Sequence, residues 1–191
     1  MESNLMIDSL GADLDALRRP MPGSYWVLPG RLLAGESPGA VDRAVATRKL
    51  RRLLAAGVTL FVDLTEPGED GVPSYATLLP LVAPDTAITH VAMPIRDQDV
   101  PTPDAMRATL HTIDAALARE QCVYVHCRGG IGRTGTVIGC YLVRHGLAGT
   151  VALDRLAHLR LPTPDRQRPS PATEAQRAMV LEWSRFDSAH V

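Results

Sequence analysis

Between residues 122 and 143 an apolar run, a glycine-rich turn and a helical pattern follow one another without a break, and few folds accept that order. Residues 122–126 read as a short buried strand, and residues 135–143 carry apolar side chains at helical spacing. Between them stands Cys127-Arg128-Gly129-Gly130-Ile131-Gly132-Arg133-Thr134. A loop that joins a strand end to a helix start has free backbone N–H groups and the positive end of the helix dipole beside it. Glycines at 129, 130 and 132 let the chain curl so that successive amides point inward, forming an anion-binding nest.

The residue types then suggest a chemistry. Helix N-termini and neighbouring cations lower thiol pKa values from about 8.5 to roughly 3.5–7.5, so Cys127 is expected as a thiolate. Such a thiolate can attack phosphorus and carry a covalent intermediate. Arg133 offers a planar fork that grips two phosphate oxygens. Thr134 can donate a hydroxyl hydrogen bond to the sulfur and ease its departure. Arg128, Gly129, Gly130, Ile131 and Gly132 would form the cradle around the phosphate, and His126 is expected to brace the loop rather than act as a base.

The rest of the chain frames this loop. Residues 25–27 and 31–34 read as strands across a Pro29-Gly30 turn, 58–64 as a strand buried on both faces, and 88–93 as another. Helices are expected over 41–56, 75–82, 103–119, 134–145, 151–159 and 173–183, the first with Val41, Val45, Leu50, Leu53 and Leu54 inward. Strands alternating with helices imply an α/β fold. Its sheet would be mixed, mostly parallel and of about four to five strands, with helices on both faces. The ligand would lie beyond the carboxyl ends of the strands, where Cys127 falls. At 191 residues the chain suits one main domain, taken as 24–191. Leu10, Leu14 and Leu17 at helical spacing suggest an N-terminal helical extension over 1–23.

The run His126-Cys127…Arg133-Thr134 resembles the signature loop of the cysteine-based protein tyrosine phosphatase superfamily. The chain is similar to its small, single-domain dual-specificity branch over most of its length; the segments 56–66, 93–97, 101–104 and 26–35 also match. The resemblance implies a phosphotyrosine phosphatase-like fold and hydrolysis of phosphomonoesters through a phosphocysteine, with no cofactor. It implies a phosphorylated protein or peptide as partner, phosphotyrosine first. It also implies a general acid within residues 95–101. Asp97 matches by its distance from the helix start at Pro101-Thr102-Pro103-Asp104, and Asp99 is its rival, one slip of the loop away. Arg96 stands where many members carry an aromatic residue or proline. Gln176 resembles the glutamine that helps position the hydrolytic water. The stretch 160–168 is longer than in the smallest relatives and would add a wall to the pocket.

Other readings remain open. A pseudophosphatase would capture phosphorylated ligands without turnover. A phosphatase of non-protein substrates would act on phosphoinositides or RNA 5′-phosphates. A sulfur-transferase or arsenate reductase can use a similar loop. The net charge of −1 gives no reason to expect nucleic acid or a membrane as partner. The N-terminus lacks the basic start and apolar core of a signal peptide, and three cysteines without repeating spacing suit a reducing compartment, so the cytoplasm is expected. His90, His111, His145 and His158 show no metal-ligand spacing, so no metal is expected. Cys122 is expected on the face of its strand opposite Cys127, and Glu66 as a solvated loop carboxylate.

Overall fold

The computed structural model describes residues 19–187. The expected N-terminal helix at 1–23 therefore falls almost wholly outside the described residues; 19–23 form an irregular lead-in. Among the described residues five strands make one sheet in the order β1-β2-β5-β3-β4. They are β1 (Tyr25–Leu28), β2 (Leu32–Glu36), β3 (Val58–Asp63), β4 (Thr89–Ala92) and β5 (Cys122–Cys127). β1 and β2 form an antiparallel hairpin through Gly30, whose φ is +68°. All other pairings are parallel, as buried crossover sheets require.

The sheet sorts its side chains by strand alternation. Val123, Val125 and Cys127 of β5 join Leu60, Val62 and Leu64 in one core. Helices α3 (Pro103–Ala118), α4 (Gly132–Arg144), α5 (Gly149–Leu159) and α6 (Glu174–Asp187) cover it. Cys122 and Tyr124 face the other way and pack with Phe61 under α1 (Arg43–Ala55) and the segment that ends in α2 (Leu79–Val82). Cys122 and Cys127 thus lie on opposite faces. Burial pushes the Cys122 thiol up to about 11 and raises that of Cys140 further still, so both stay protonated.

Local signals set the element ends. Asp42 caps α1 by accepting the Ala44 N–H at 2.7 Å, and Ala46, Leu50 and Leu53 then face the core at i, i+4 and i+7. Val41 was expected inward, but it precedes the cap and is 75% exposed. Thr102 accepts the Ala105 N–H, and Pro103 opens α3 with Met106, Leu110 and Ile113 fully buried. Each such leucine or isoleucine contributes about 1.5–3 kcal/mol through burial. The segment expected to be helical over 75–82 is a 3₁₀ turn at Tyr75–Leu78 leading into α2.

One boundary matters for function. Helix α4 begins at Gly132, two residues before the expected start, so Arg133 and Thr134 belong to its first turn. Its N-cap Ile131 supplies no side-chain hydrogen bond, which leaves the first amides of the helix to whatever sits before them.

Candidate active site

The site sits where β5 ends. In register, Glu36 of β2 lies beside Cys127 and Asp63 of β3 beside His126, so the loop 128–131 leaves the sheet from between two parallel neighbours. The loop is tied down on both sides. The Ser37 N–H donates to the Arg128 carbonyl at 3.1 Å, and the Ser170 hydroxyl donates to the Ile131 carbonyl at 2.7 Å. Gly130 takes φ +70° and lies against the Gly35–Glu36 backbone.

Above the loop opens a cavity of about 480 Å³. Cys127, Arg128, Gly129, Ile131, Gly132 and Arg133 form its floor, and Asp97, Arg168 and Gln176 its walls. Arg168, the last residue of the stretch 160–168, lines the cavity, whereas Arg160, Thr163 and Asp165 line a separate small pocket. Gly130 does not line this cavity; with Gly129 and Ile131 it lines a small neighbouring pocket beside Tyr25 and Arg160. Thr134 is fully buried, and its hydroxyl makes no hydrogen bond among the described residues. Asp99 does not line the cavity; its carboxylate accepts the Val100 N–H at 2.8 Å. Of the two rival carboxylates, the fold brings Asp97 to the pocket.

Arg133 is the electrostatic centre. Its side chain is only 1% exposed, and Nη1 and Nη2 donate to the two carboxylate oxygens of Glu69, both at 2.6 Å. Nη2 also lies 3.0 Å from Asp97 Oδ1, and Nη1 donates to the Ile95 carbonyl at 3.0 Å. Nε is buried without a partner among the described residues. Burial opposes the charge on Arg133, but the Glu69 hydrogen bonds and the nearby anions outweigh it and raise the pKa further. Hydrogen bonding to Arg133 in turn holds the Glu69 carboxyl below its usual range. A two-point match of this kind is stronger than an ordinary hydrogen bond.

Glu69 is the residue that sequence reading missed. Glu66 is exposed and lines a neighbouring cavity of about 170 Å³ with Asp63 and His90. Glu69 begins a 3₁₀ turn after Gly68, which at φ +75° turns the chain back toward Arg133. The Pro67-Gly68 pair was the available signal.

Beneath the loop runs a buried polar network. His126 is fully buried, with Nδ1 3.3 Å from the Cys127 carbonyl and 3.9 Å from Asp63 Oδ1. Both neighbours are acceptors, which assigns the ring proton to Nδ1 and makes the Tyr75 hydroxyl the donor to Nε2 at 2.6 Å. Burial pushes His126 down to about 4, so the ring is neutral at neutral pH. Burial also opposes ionisation of Asp63, yet hydrogen bonds from His90 and Thr65 prevail and hold its carboxyl at about 2.

Among the described residues no three His, Cys, Asp or Glu side chains converge to hold a metal ion. None of the described helices is long and apolar enough to cross a membrane.

A family model described as the DSP-PTPase phosphatase domain of Swiss Army Knife proteins matches residues 21–185. The dual specificity protein phosphatase CDC14AB of Danio rerio is 38% identical over 127 residues, 63% of this chain and 19% of that protein. The phosphatidylglycerophosphate phosphatase PTPMT2 of Arabidopsis thaliana is 33% identical over 154 residues, 78% of this chain and 60% of that protein. The chain thus spans less than two thirds of these curated relatives. Among solved structures, kinase associated phosphatase with its catalytic cysteine replaced by serine superimposes with a TM-score of 0.70 at 21% identity, covering 84% of this chain and 89% of that one. The active form of Tk-PTP gives 0.68 at 22% identity, covering 88% and 98%.

Proposed function

The chain belongs to the dual-specificity phosphatase domain family of the cysteine-based protein tyrosine phosphatases, and on that footing we propose that it hydrolyses phosphomonoesters through a phosphocysteine at Cys127. The observation that carries the reading is the convergence of Cys127, Arg133 and Asp97 on one cavity, above an uncapped helix start.

The first step forms a bond from the Cys127 sulfur to phosphorus as the bond from phosphorus to the leaving oxygen breaks. Asp97 gives its proton to that oxygen, which departs as an alcohol or phenol. Arg133 Nε, buried and unpartnered, meets one phosphate oxygen, and Nη2 meets a second as Asp97 swings off it. These donors and the first amides of α4 stabilise charge on the transferring phosphoryl group. In the second step Asp97, now a carboxylate, takes a proton from water. The water oxygen bonds to phosphorus, and the sulfur leaves as a thiolate. The Thr134 hydroxyl, free of other bonds, is the group assigned to accompany that thiolate.

A phosphorylated tyrosine side chain in a protein is the first-choice substrate. A second reading is supported by the 33% identity to a phosphatase named for phosphatidylglycerophosphate. Under it, Arg128 and Arg168 around the cavity would meet a polyol phosphate headgroup. The test is phosphate release without added metal from phosphotyrosine peptide, phosphothreonine peptide and phosphatidylglycerophosphate in micelles. Turnover on any of them that vanishes in Cys127→Ser supports the mechanism, and the ratio assigns the substrate class. Undiminished turnover in Cys127→Ser refutes it.

A further inference from the structure

The loop that carries Asp97 is held at both ends, and one of its anchors has no assigned role there. On the near side Arg133 Nη1 donates to the Ile95 carbonyl at 3.0 Å. On the far side the Gln176 Nε2 donates to the Asp99 carbonyl at 3.0 Å, and the Thr173 hydroxyl donates to the Gln98 carbonyl at 3.4 Å. Gln98 itself sits at φ +62°, a conformation that disfavours side chains with a Cβ and is retained only when the surroundings hold it.

Gln176 is 0% exposed. Its Oε1 accepts the N–H groups of Ala172 at 3.1 Å and Thr173 at 3.2 Å. Two backbone donors at one end of the amide fix which end is oxygen. Both acceptor positions are therefore filled, and one of the two N–H groups is spent on Asp99. The resemblance implied that Gln176 positions the hydrolytic water, but only one N–H is left to do so. The amide also lies flat against the start of α4: a Cβ at Gly132 would stand 3.0 Å from Gln176 Oε1. The same side chain touches the phosphate loop, the start of α6 and the acid loop.

We propose that Gln176 is a positioning residue for Asp97, a latch that holds the acid loop over the phosphate loop. The inference rests on the reading of Asp97 as general acid. Its mark is selectivity for the leaving group: a misplaced acid matters when the departing oxygen needs a proton and hardly matters when it does not.

The experiment measures kcat for a series of aryl and alkyl phosphates on the full chain. The variants are Gln176→Glu, Gln176→Met and Asp97→Asn, with each Gln176 change also made in the Asp97→Asn background. Gln176→Glu keeps both acceptors but turns an oxygen toward the Asp99 carbonyl, so it breaks the latch with little change of shape. The latch predicts a loss of about 10²-fold on alkyl phosphates, under about threefold on nitrophenyl phosphate, and no further loss beside Asp97→Asn. Equal losses across the series, additive losses beside Asp97→Asn, or more phosphoenzyme in the Gln176 variants than in Asp97→Asn overturn it, the last in favour of water positioning. Should both Gln176 variants fail to fold, Thr173→Ala removes the other anchor at a half-buried site. It must then show the same selectivity in weaker form, and its absence overturns the latch. If Asp97→Asn itself shows no selectivity for poor leaving groups, the reading of the acid fails instead.

Discussion

Replacing Gly130 by alanine adds one methyl where the phosphate loop turns under β2. The added Cβ would stand 2.4 Å from the Gly35 carbonyl carbon and 2.6 Å from the Glu36 nitrogen, distances that real Cβ atoms do not adopt. Both obstacles are backbone, at the carboxyl end of the pairing between β2 and β5, so neither yields cheaply. The residue also sits at φ +70°, which costs a non-glycine residue about 1–2 kcal/mol. Overpacking adds about 1–3 kcal/mol, for a total of roughly 2–5 kcal/mol. At about 2–4 °C per kcal/mol for a chain of this size, Tm falls by roughly 5–20 °C. Any relief must come from lifting the loop, which carries the amides of the cradle with it. Vanadate affinity therefore falls along with Tm. Gly129→Ala is the matched control for Tm, because a Cβ there meets nothing within 4 Å and φ is not positive. Thermal melts and vanadate titrations of the two variants decide the matter. A Gly130→Ala protein that melts within about 1 °C of the parent and binds vanadate equally well refutes the reasoning.

Other consequences are as direct. Asp97→Asn lowers kcat on poor leaving groups by about 10²–10⁴, whereas Asp99→Asn changes it little; steady-state rates that reverse this order move the acid to Asp99. Glu69→Gln leaves Arg133, only 1% exposed, without its two-point anion. The cost is about 2–3 kcal/mol in urea unfolding, below that of a fully broken buried pair because Asp97 remains, and an unchanged midpoint contradicts it. His126 is shifted down from 6.5 to about 4, so the unfolded chain binds more protons between those values. Its contribution to stability is complete above pH 6.5 and is lost as the pH falls toward 4, amounting to about 2–3 kcal/mol at pH 4.5. Asp63, held at about 2, adds a further loss only below its unfolded value of 3.8. Denaturant melts of His126→Gln should show a flatter slope between pH 6.5 and 4.5 than the parent; equal slopes would sink the assignment.

The phosphate loop was legible because its chemistry is contiguous: residues 126–134 carry nucleophile, cradle and cation in one run. The α3 stripe and the opposite facing of Cys122 and Cys127 followed from periodicity alone. Glu69 was not legible, because its bond to Arg133 spans 64 residues and depends on how one 3₁₀ turn folds back. The network of Asp63, His90, His126 and Tyr75 needs the register of three parallel strands, which no single segment encodes. The early start of α4 was hidden by Gly132, a poor helix former whose missing side chain leaves room for Gln176. Asp97 was placed by resemblance, and the contact that distinguishes it from Asp99 is the 3.0 Å approach to Arg133.

The central claim is the covalent intermediate. The protein is mixed with phosphorylated substrate, quenched in acid during the first turnover and digested, and the fragment bearing Cys127 is weighed. The mechanism predicts a phosphoryl group on the Cys127 sulfur that forms and decays at the rate of turnover and is absent from Cys127→Ser. Phosphate release that continues in Cys127→Ser, or a phosphoryl group carried by another side chain, contradicts it.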